Sequence, residues 1–362
     1  MTRNNRILVQ NVYYMLSYAF RQLEKNNYEH IKEEDFENVL DLLAEILYRG
    51  VSEQLKKGLY KEYINRDEKM SILKGRLNIY GTIYNRIQRK QLLDCEYDEL
   101  SENNLLNRIL KSTVFLLLGS KDVKKDRKIQ LYKILPFFST VEEINLSYVK
   151  WKQLRYQRNN NNYEMLMYIC RFILSESIMS NDGNKQMTAF NVSKLEELFE
   201  AFVLQYYKRH YDKELVPSGQ SHINWNVTNR NVADISFLPN MKSDIKLTYL
   251  DQTTIIDTKC YTYMTQVNNA FGNGKHTIVS ENLYQIFSYV KNEDVNNTGN
   301  VSGMLLYAKT IDEIIPSLDA KIGGNRFVVR TLDLNQEFNL IRKQLDGFVT
   351  LMFPDFPTHS RI

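Results

Sequence analysis

The pattern of hydrophobic and polar residues gives the chain a helical first half and a mixed second half. In the first half, apolar residues recur three and four positions apart, which predicts helices over residues 11–23, 36–59 and 102–118. Ser101 is the expected N-cap of the third helix. Residues 61–78 change to short runs around a charged turn, which predicts a small projection of two strands.

The second half begins after the segment QRNNNN at residues 157–162. Four consecutive asparagines do not pack a core, so we expect a loop or linker there. This expected linker places the domain boundary near residue 160, with one domain over residues 1–160 and another over 161–362.

The second half combines helical spacing with runs of period two. Helices are expected over residues 163–178, 193–211, 281–290 and 337–353, and strands over 232–237, 243–249, 254–261, 303–308 and 327–332. This order predicts a mixed sheet flanked by helices. The expected fold class is α/β (α+β), with a helical N-terminal domain that carries a small β projection.

Composition narrows the class of protein without naming a function. The 362 residues are 43% hydrophobic and 25% charged, as in globular proteins of about two domains. The apolar run at residues 114–118 is too short to span a bilayer, so no membrane association is expected. Three scattered cysteines, Cys95, Cys170 and Cys260, indicate a reducing cytoplasm without a disulfide framework. The net charge of +4 permits a nucleic-acid partner but does not require one.

The candidate chemistry lies in Asp244 and, thirteen residues later, in Asp257 and Lys259. Asp257 and Lys259 are two apart in a strand and therefore share a face. A hairpin that turns at residues 250–251 would place Asp244 opposite Asp257. Two opposed carboxylates repel unless a cation or a proton joins them, and Mg²⁺ is the natural partner. Lys259 could then orient a water or stabilise charge on a phosphate.

The surrounding residues favour catalysis over an ordinary cross-strand ion pair between Asp257 and Lys259, which is the alternative. The charges follow apolar residues 255–256, where desolvation is costly. A later helix carries Gln285 and Tyr289 four positions apart, hence on one face. Together these features approach the PD-(D/E)xK nuclease pattern with a trailing Q-x-x-x-Y helix.

Several other residues compete for roles. Asp234 is the main rival for the first carboxylate. Glu197 and Glu200 lie one turn apart on a helix, and Glu200 could reach a metal, although a solvated helix face explains both. His222 and His276 match no ligand spacing, which favours surface positions.

Six sequence blocks resemble the McrC family, and they run in order over most of the chain. They are NVYYMLSYAF (11–20), KGRL (74–77), SENNLLNRILKST (101–113), LPNMKSDI (238–245), IIDTKCY (255–261) and NLYQI (282–286). The family counterparts of the first and fifth blocks read N-I-Y-Y-M-L-x-Y-A-W and I-V-D-A-K-Y-Y.

The resemblance implies the nuclease subunit of a McrBC-type restriction system, which cuts double-stranded DNA, methylated or not. It implies Asp244, Asp257 and Lys259 as catalytic residues, with Mg²⁺ on the two aspartates. Thr258 and Cys260 depart from the family pattern, but neither position supplies a group that the mechanism needs.

The resemblance also implies a partner, a hexameric McrB-like AAA+ GTPase whose pore receives the N-terminal arm. Lys74 and Arg76 are the candidate contacts, with solvation of a strand edge as the alternative. No G-x-x-x-x-G-K-[ST] motif occurs in the chain, so GTP is expected on the partner. The other function considered is a catalytically inactive nuclease-fold adaptor that regulates the motor.

Overall fold

The computed structural model describes most of the chain, which gathers into two compact units. The described residues are 7–24, 28, 31, 34, 36–156, 161–181, 189–212, 215, 221–227, 236–261, 264–268, 275–309 and 314–357. One unit, the split unit, consists of two stretches, Met1–Val39 and Met179–Ile362. The other, the inserted unit, is Leu40–Ile178.

Nine helices and twelve strands are found in the described part of the chain, besides short 3-10 turns. In chain order they are α1 (Val9–Ala19), α2 (Val39–Lys57), β1 (Glu62–Met70), β2 (Arg76–Leu77), α3 (Ile79–Ile87), β3 (Leu93–Ser101), α4 (Leu105–Gly119), α5 (Lys125–Ile134), α6 (Asn161–Asn181), α7 (Ala189–His210), β4 (Ser221–Ile223), β5 (Met241–Ser243), β6 (Ile245–Tyr249), β7 (Gln252–Lys259), β8 (Thr265–Asn268), β9 (Lys275–Ile278), α8 (Ser280–Glu293), β10 (Val301–Ala308), β11 (Leu318–Ile322), β12 (Asn325–Leu332) and α9 (Phe338–Met352).

The split unit is built on a five-stranded mixed sheet in the order β11-β12-β10-β7-β6. Strands β7, β10 and β12 run parallel, and the edge strands β6 and β11 are antiparallel to their neighbours. Two short hairpins, β4–β5 and β8–β9, complete its strands among the described residues. The predicted mixed sheet flanked by helices is confirmed.

The central strands are buried because parallel strands are covered on both faces. Ile255 of β7 packs in one apolar cluster with Leu305 of β10, Phe327 of β12, and Ile286 and Val290 of α8. Helix α7 also contacts β7, and α1 packs on α7. Residues on β7 that share a face with Ile255 therefore lie on the α8 side of the sheet.

The inserted unit contains the predicted helices and a small sheet whose pairing differs from the prediction. The structure has one nine-residue strand, β1, and a two-residue strand, β2, and both pair with β3 rather than with each other. We did not predict β3 from the sequence, although Leu93, Cys95 and Tyr97 alternate with acidic residues and Cys95 and Tyr97 are buried. Exposed ion pairs flank its ladder, with Arg66 3.1 Å from Glu99 and Arg76 2.8 Å from Glu96.

Two local predictions at helix starts were wrong. The third predicted helix is capped by Asn104, whose side chain accepts from the backbone N–H of Asn107, and not by Ser101. Of the expected linker, residues 157–160 lie outside the described part, while Asn161 and Asn162 begin α6. The amide of Asn162 donates to Gln54 Oε1 at 3.1 Å, so this residue is anchored.

The compact units do not divide at residue 160 as predicted. Helix α1 belongs to the split unit because it packs on α7 and because Asn11 donates to the carbonyls of Leu334 and Gln336 at 2.8 and 2.7 Å. The start of α6 belongs to the inserted unit, where the Tyr163 hydroxyl donates to Asn107 Oδ1 at 2.6 Å. The division of labour between an arm and a nuclease stays a prediction.

Two global expectations can be compared with the described residues. None of the helices described is long and apolar enough to cross a membrane. Cys95, Cys170 and Cys260 are all buried, and each is a thiol.

Candidate active site

The hairpin of β6 and β7 has the predicted register. Ile245 lies opposite Ile256 and Tyr249 opposite Gln252, and Leu250 takes a positive φ of 52° in the turn. Asp244 lies in a bend between β5 and β6, one residue beyond the last pair. The sequence therefore correctly predicted that Asp244 lies beside the end of β7, but Asp244 is not part of the β6–β7 ladder.

Asp257 and Lys259 form a buried ion pair at the end of the central strand β7. They are 1% and 8% exposed, and Lys259 Nζ lies 2.7 Å from Asp257 Oδ2. Burial raises the pKa of Asp257 to about 6, partly offset by Lys259 and increased by Asp244. For Lys259, burial alone would lower the pKa, but the attraction of Asp257 outweighs it and raises the pKa. The ammonium therefore stays charged beside a carboxyl that titrates near neutral pH.

A short hydrogen-bonded chain from α8 orients this lysine. Lys259 Nζ donates to Gln285 Oε1 at 3.2 Å, and Gln285 Nε2 donates to the Tyr289 hydroxyl at 2.9 Å. Both α8 residues reach the site because they are one helical turn apart on the same face. The two bonds also fix which end of the Gln285 amide faces the lysine.

Thr258 is the residue whose role the sequence missed. Its backbone N–H and its hydroxyl both donate to Asp244 Oδ2, at 2.7 and 2.8 Å. Among the described residues, no donor bonds the other oxygen of Asp244, Oδ1. Thr258 thus holds one oxygen of Asp244 and leaves the second for a ligand. The signal in the sequence was that Thr258, which carries a hydroxyl, directly follows the strand carboxylate Asp257.

Helix α7 adds two more carboxylates, Glu196 and Glu200. Burial raises the pKa of Glu200 to about 7, with repulsion from Asp244 and Asp257 adding to it and Lys242 opposing it. Burial likewise raises the pKa of Glu196, opposed by Lys259. The sequence paired Glu200 with Glu197, but the Glu197 side chain is 50% exposed and bonds Lys194 instead. The spacing of four between Glu196 and Glu200 was the better signal.

The oxygen donors fit a hard divalent cation that keeps part of its water shell. Within the described ranges, no three His, Cys, Asp or Glu side chains form a closed metal-binding group. Mg²⁺ commonly takes one or two protein carboxylates and fills its remaining positions with waters and substrate phosphates. Asp257 and Asp244, the latter through its unbonded oxygen, are the residues that could hold the Mg²⁺ ion. Burial is the main cause of the raised pKa values of Asp257 and Glu200, and repulsion from neighbouring carboxylates, which a bound cation would offset, adds to it.

The remaining sequence candidates lie elsewhere. Asp234 is outside the described residues. His276 is bonded through Nδ1 to Thr265 Oγ1 at 2.9 Å across the β8–β9 hairpin. Lys74 lies 3.7 Å above the ring centroid of Tyr97, and Arg76 pairs with Glu96, both in the inserted unit.

Similarity to known proteins agrees with the blocks found in the sequence. The family model described as McrBC 5-methylcytosine restriction system component matches residues 2–308. The chain belongs to this family. The resemblance to McrC drawn from the six blocks is thereby confirmed.

Individual relatives are more distant. The chain is 28% identical over 349 residues to the Type IV methyl-directed restriction enzyme EcoKMcrBC of Escherichia coli (strain K12), covering 94% of this chain and 96% of that protein. It is similar to a structure of Thermococcus gammatolerans McrB AAA+ hexamers with bound McrC, with a TM-score of 0.45, 14% identity, and 91% and 75% of the two chains covered. For the Thermococcus gammatolerans McrBC complex the TM-score is 0.43, with 16% identity and 57% and 60% covered.

Proposed function

We propose that this member of the McrBC family is a DNA endonuclease subunit that hydrolyses phosphodiester bonds with Mg²⁺. The observation that carries the proposal is the buried Asp257–Lys259 pair, with Asp244 beside it at the same strand end. Structural ion pairs rarely collect additional carboxylates, because each one adds repulsion in a poorly solvated place.

Each residue has a distinct role in this proposal. Asp257 and Asp244 would hold the metal, which when bound supplies a polarised phosphate oxygen and an activated water. Lys259 donates a hydrogen bond to a phosphate oxygen or to the attacking water, and Gln285 keeps its ammonium directed into the site. Glu200, with a pKa near 7, can accept or release a proton at physiological pH.

The test is a cleavage assay with the purified chain, its AAA+ partner, GTP, Mg²⁺ and DNA with or without 5-methylcytosine. Asp257→Asn keeps the side-chain volume and removes the charge, so the rate should fall by about 10²–10⁴. Asp244→Asn should behave likewise. Asp319→Asn, on the edge strand β11 where it pairs with Arg326, is the matched control and should stay active.

The same assay separates the alternatives. A dead Asp234→Asn with a fully active Asp244→Asn would make Asp234 the first carboxylate. A wild-type chain that stimulates GTP turnover but never cuts DNA, at any Mg²⁺ concentration, would favour the inactive adaptor. The cytoplasmic location stays a prediction.

For the partner, we propose that an AAA+ GTPase contacts the inserted unit through apolar side chains as well as Lys74 and Arg76. Helix α3 exposes five of its nine residues as large hydrophobics, and neighbouring positions add more; the full set is Tyr63, Ile72, Leu73, Leu77, Ile79, Tyr80, Ile83, Tyr84, Ile87 and Leu100. A short helix that exposes five large apolar side chains is typical of a binding surface.

Stimulated GTP turnover tests this contact. Tyr80→Ser with Ile87→Ser should reduce stimulation at least tenfold if this surface is a binding hot spot. Ile314→Ser with Ile315→Ser removes two exposed apolar side chains from the split unit and should have no effect. Lys74→Ala with Arg76→Ala measures the charged contribution separately.

A further inference from the structure

Beside the candidate active site, the β4–β5 hairpin presents two cationic or hydrogen-bonding side chains on its outer face. His222 lies directly opposite Lys242, between the pairs Ser221–Ser243 and Ile223–Met241. Ser243, Ile223 and Met241 are buried. Because neighbours along a strand alternate, His222 and Lys242 point the other way and are exposed.

Lys242 is close to the carboxylates. It precedes Asp244 by two residues, or roughly 7 Å along an extended chain. Its positive charge opposes the raised pKa of Glu200, so it acts within the field of the site. Neither Lys242 nor His222 forms an ion pair or side-chain hydrogen bond within the described ranges. By contrast, Lys246 on the next strand is paired with Glu293.

A pocket of about 430 Å³ is lined in part by His222, and Met241, the residue before Lys242, also lines it. His222, Trp225, Leu238, Pro239 and Met241 are among its lining residues. The indole N–H of Trp225 donates to the Pro239 carbonyl at 2.7 Å, which holds the ring against one wall. His222 thus links a pocket with a fixed aromatic wall to Lys242, its cross-strand neighbour, and a lysine beside an aromatic surface suits a nucleotide.

We propose that His222, Lys242 and the Trp225 pocket form a subsite for the DNA strand next to the scissile phosphate. Lys242 and His222 bind the neighbouring backbone phosphate, and the adjoining sugar and base lie against Trp225. The separation between Lys242 and Asp244 is comparable with that of consecutive phosphates on one strand. The subsite rests on the proposed nuclease function and adds to it the path of the bound strand.

The first experiment measures DNA binding by the full chain without divalent ions, over a series of salt concentrations. Removing one phosphate contact with Lys242→Ala should reduce the slope of log K against log[salt] by about 1. Adding His222→Ala to Lys242→Ala should weaken DNA binding more than Lys242→Ala alone. Lys321→Ala, on β11 at the opposite edge of the sheet, should leave both slope and affinity unchanged.

The second experiment uses fluorescence. The chain has two tryptophans, so Trp151→Phe leaves Trp225 as the single reporter. DNA should quench its emission, and Trp225→Ala should weaken binding by about 5- to 150-fold at an unchanged salt slope. The quenching measurement keeps its meaning even if Trp225→Ala fails to fold.

The outcomes separate this subsite from the proposed function. DNA cleavage by the wild type, together with an unchanged slope in Lys242→Ala and no quenching of Trp225, would overturn the subsite alone. A chain that neither binds nor cuts DNA would overturn both. The expected slope change and quenching in a chain that never cuts would support the subsite and contradict the nuclease.

Discussion

Two clusters of buried charge, one in each unit, differ in how completely their charges are paired. In the inserted unit, Asp41 and Glu45 of α2 are almost fully buried. Arg127 lies 3.1 Å from Asp41 and 2.5 Å from Glu45, and Arg49 lies 2.5 Å from Glu45. Asp41 also accepts the backbone N–H of Lys124 at 3.0 Å. Two carboxylates here meet two guanidinium groups.

The cluster in the split unit is not balanced in this way. Asp244, Asp257, Glu196 and Glu200 influence one another, and Lys259 is the cation in direct contact. A balanced cluster holds a fold together, because each charge has a partner at hydrogen-bonding distance. An unbalanced cluster stores repulsion that a bound cation or a proton relieves. Charge balance therefore separates a structural ion network from a candidate catalytic one.

Lys259→Met should have the largest effect and act on activity rather than stability. It removes the ammonium that would stabilise phosphate charge, so cleavage should fall by about 10²–10⁴. The free energy of unfolding should fall only by roughly 1–2 kcal/mol near pH 7, since Asp257, with a pKa already about 6, takes up a proton instead. Cleavage rates and urea unfolding measure the two effects. A loss of stability as large as the loss of activity would make the pair structural.

Arg127→Met should show the reverse. It leaves Asp41 and Glu45 buried with too little positive charge, and the free energy of unfolding should fall by about 3–5 kcal/mol. Any remaining folded protein should cut DNA at the normal rate per molecule. Urea unfolding measures the loss, with exposed Lys133→Met on the same helix as the control. A small change would mean that the buried network contributes little.

The pH dependence of stability provides a third comparison. Asp257 and Glu200 have folded-state pKa values of about 6 and 7, above the ordinary value near 4, so the folded state binds more protons than the unfolded state. Without metal, their contribution to stability is therefore lost as pH rises from about 4 to about 7. Mg²⁺ at a hundredfold excess over its Kd should restore about 2.7 kcal/mol above that range, and less near pH 5.

Melting temperatures measured with and without Mg²⁺, once near pH 5 and once above about pH 7, test this effect. Asp244→Asn with Glu200→Gln should reduce the pH dependence to the part that Asp257 contributes and should abolish the metal shift. An equal Mg²⁺ shift at both pH values, or one that survives in this variant, would contradict a metal held by these carboxylates.

Thr258→Val should have the smallest effect. It removes one of two hydrogen bonds to Asp244 Oδ2 and keeps the backbone bond, so activity or Mg²⁺ affinity should fall about tenfold. Thr253→Val, at the other end of β7, removes a weak contact with Thr248 and serves as the control. Full activity in Thr258→Val would mean that the backbone bond alone positions Asp244.

The sequence predicted best where a feature depends on local spacing. The period of two set the common face of Asp257 and Lys259, the turn at Leu250 set the hairpin register, and the helical period set Gln285 beside Tyr289. Each feature involves residues within one element or one hairpin, so the pattern contained enough information.

Features that depend on distant partners were missed. β3 is paired on both edges, by β1 and β2, which precede it in the chain, and its many acidic residues obscure the alternation of Leu93, Cys95 and Tyr97. Helix α1 joined the second half of the chain through Asn11, whose carbonyl partners lie more than 320 residues away. No composition shift marks either contact.

The sequence of the inserted unit interrupts that of the split unit, and this arrangement along the chain sets the order in which the two units can fold during synthesis. Leu40–Ile178 leaves the ribosome whole and can fold as soon as it emerges, while α1 waits for α7 and for the carbonyl of Leu334. At about 5–20 residues per second, the last strand of the sheet, β12, arrives tens of seconds after α1. A ribosome that stalls before β12 therefore releases a folded inserted unit attached to an incomplete sheet. In such a chain β10, the parallel neighbour of the strand that carries Asp257, lacks its own partner β12, and Phe327 is missing from the apolar cluster around Ile255.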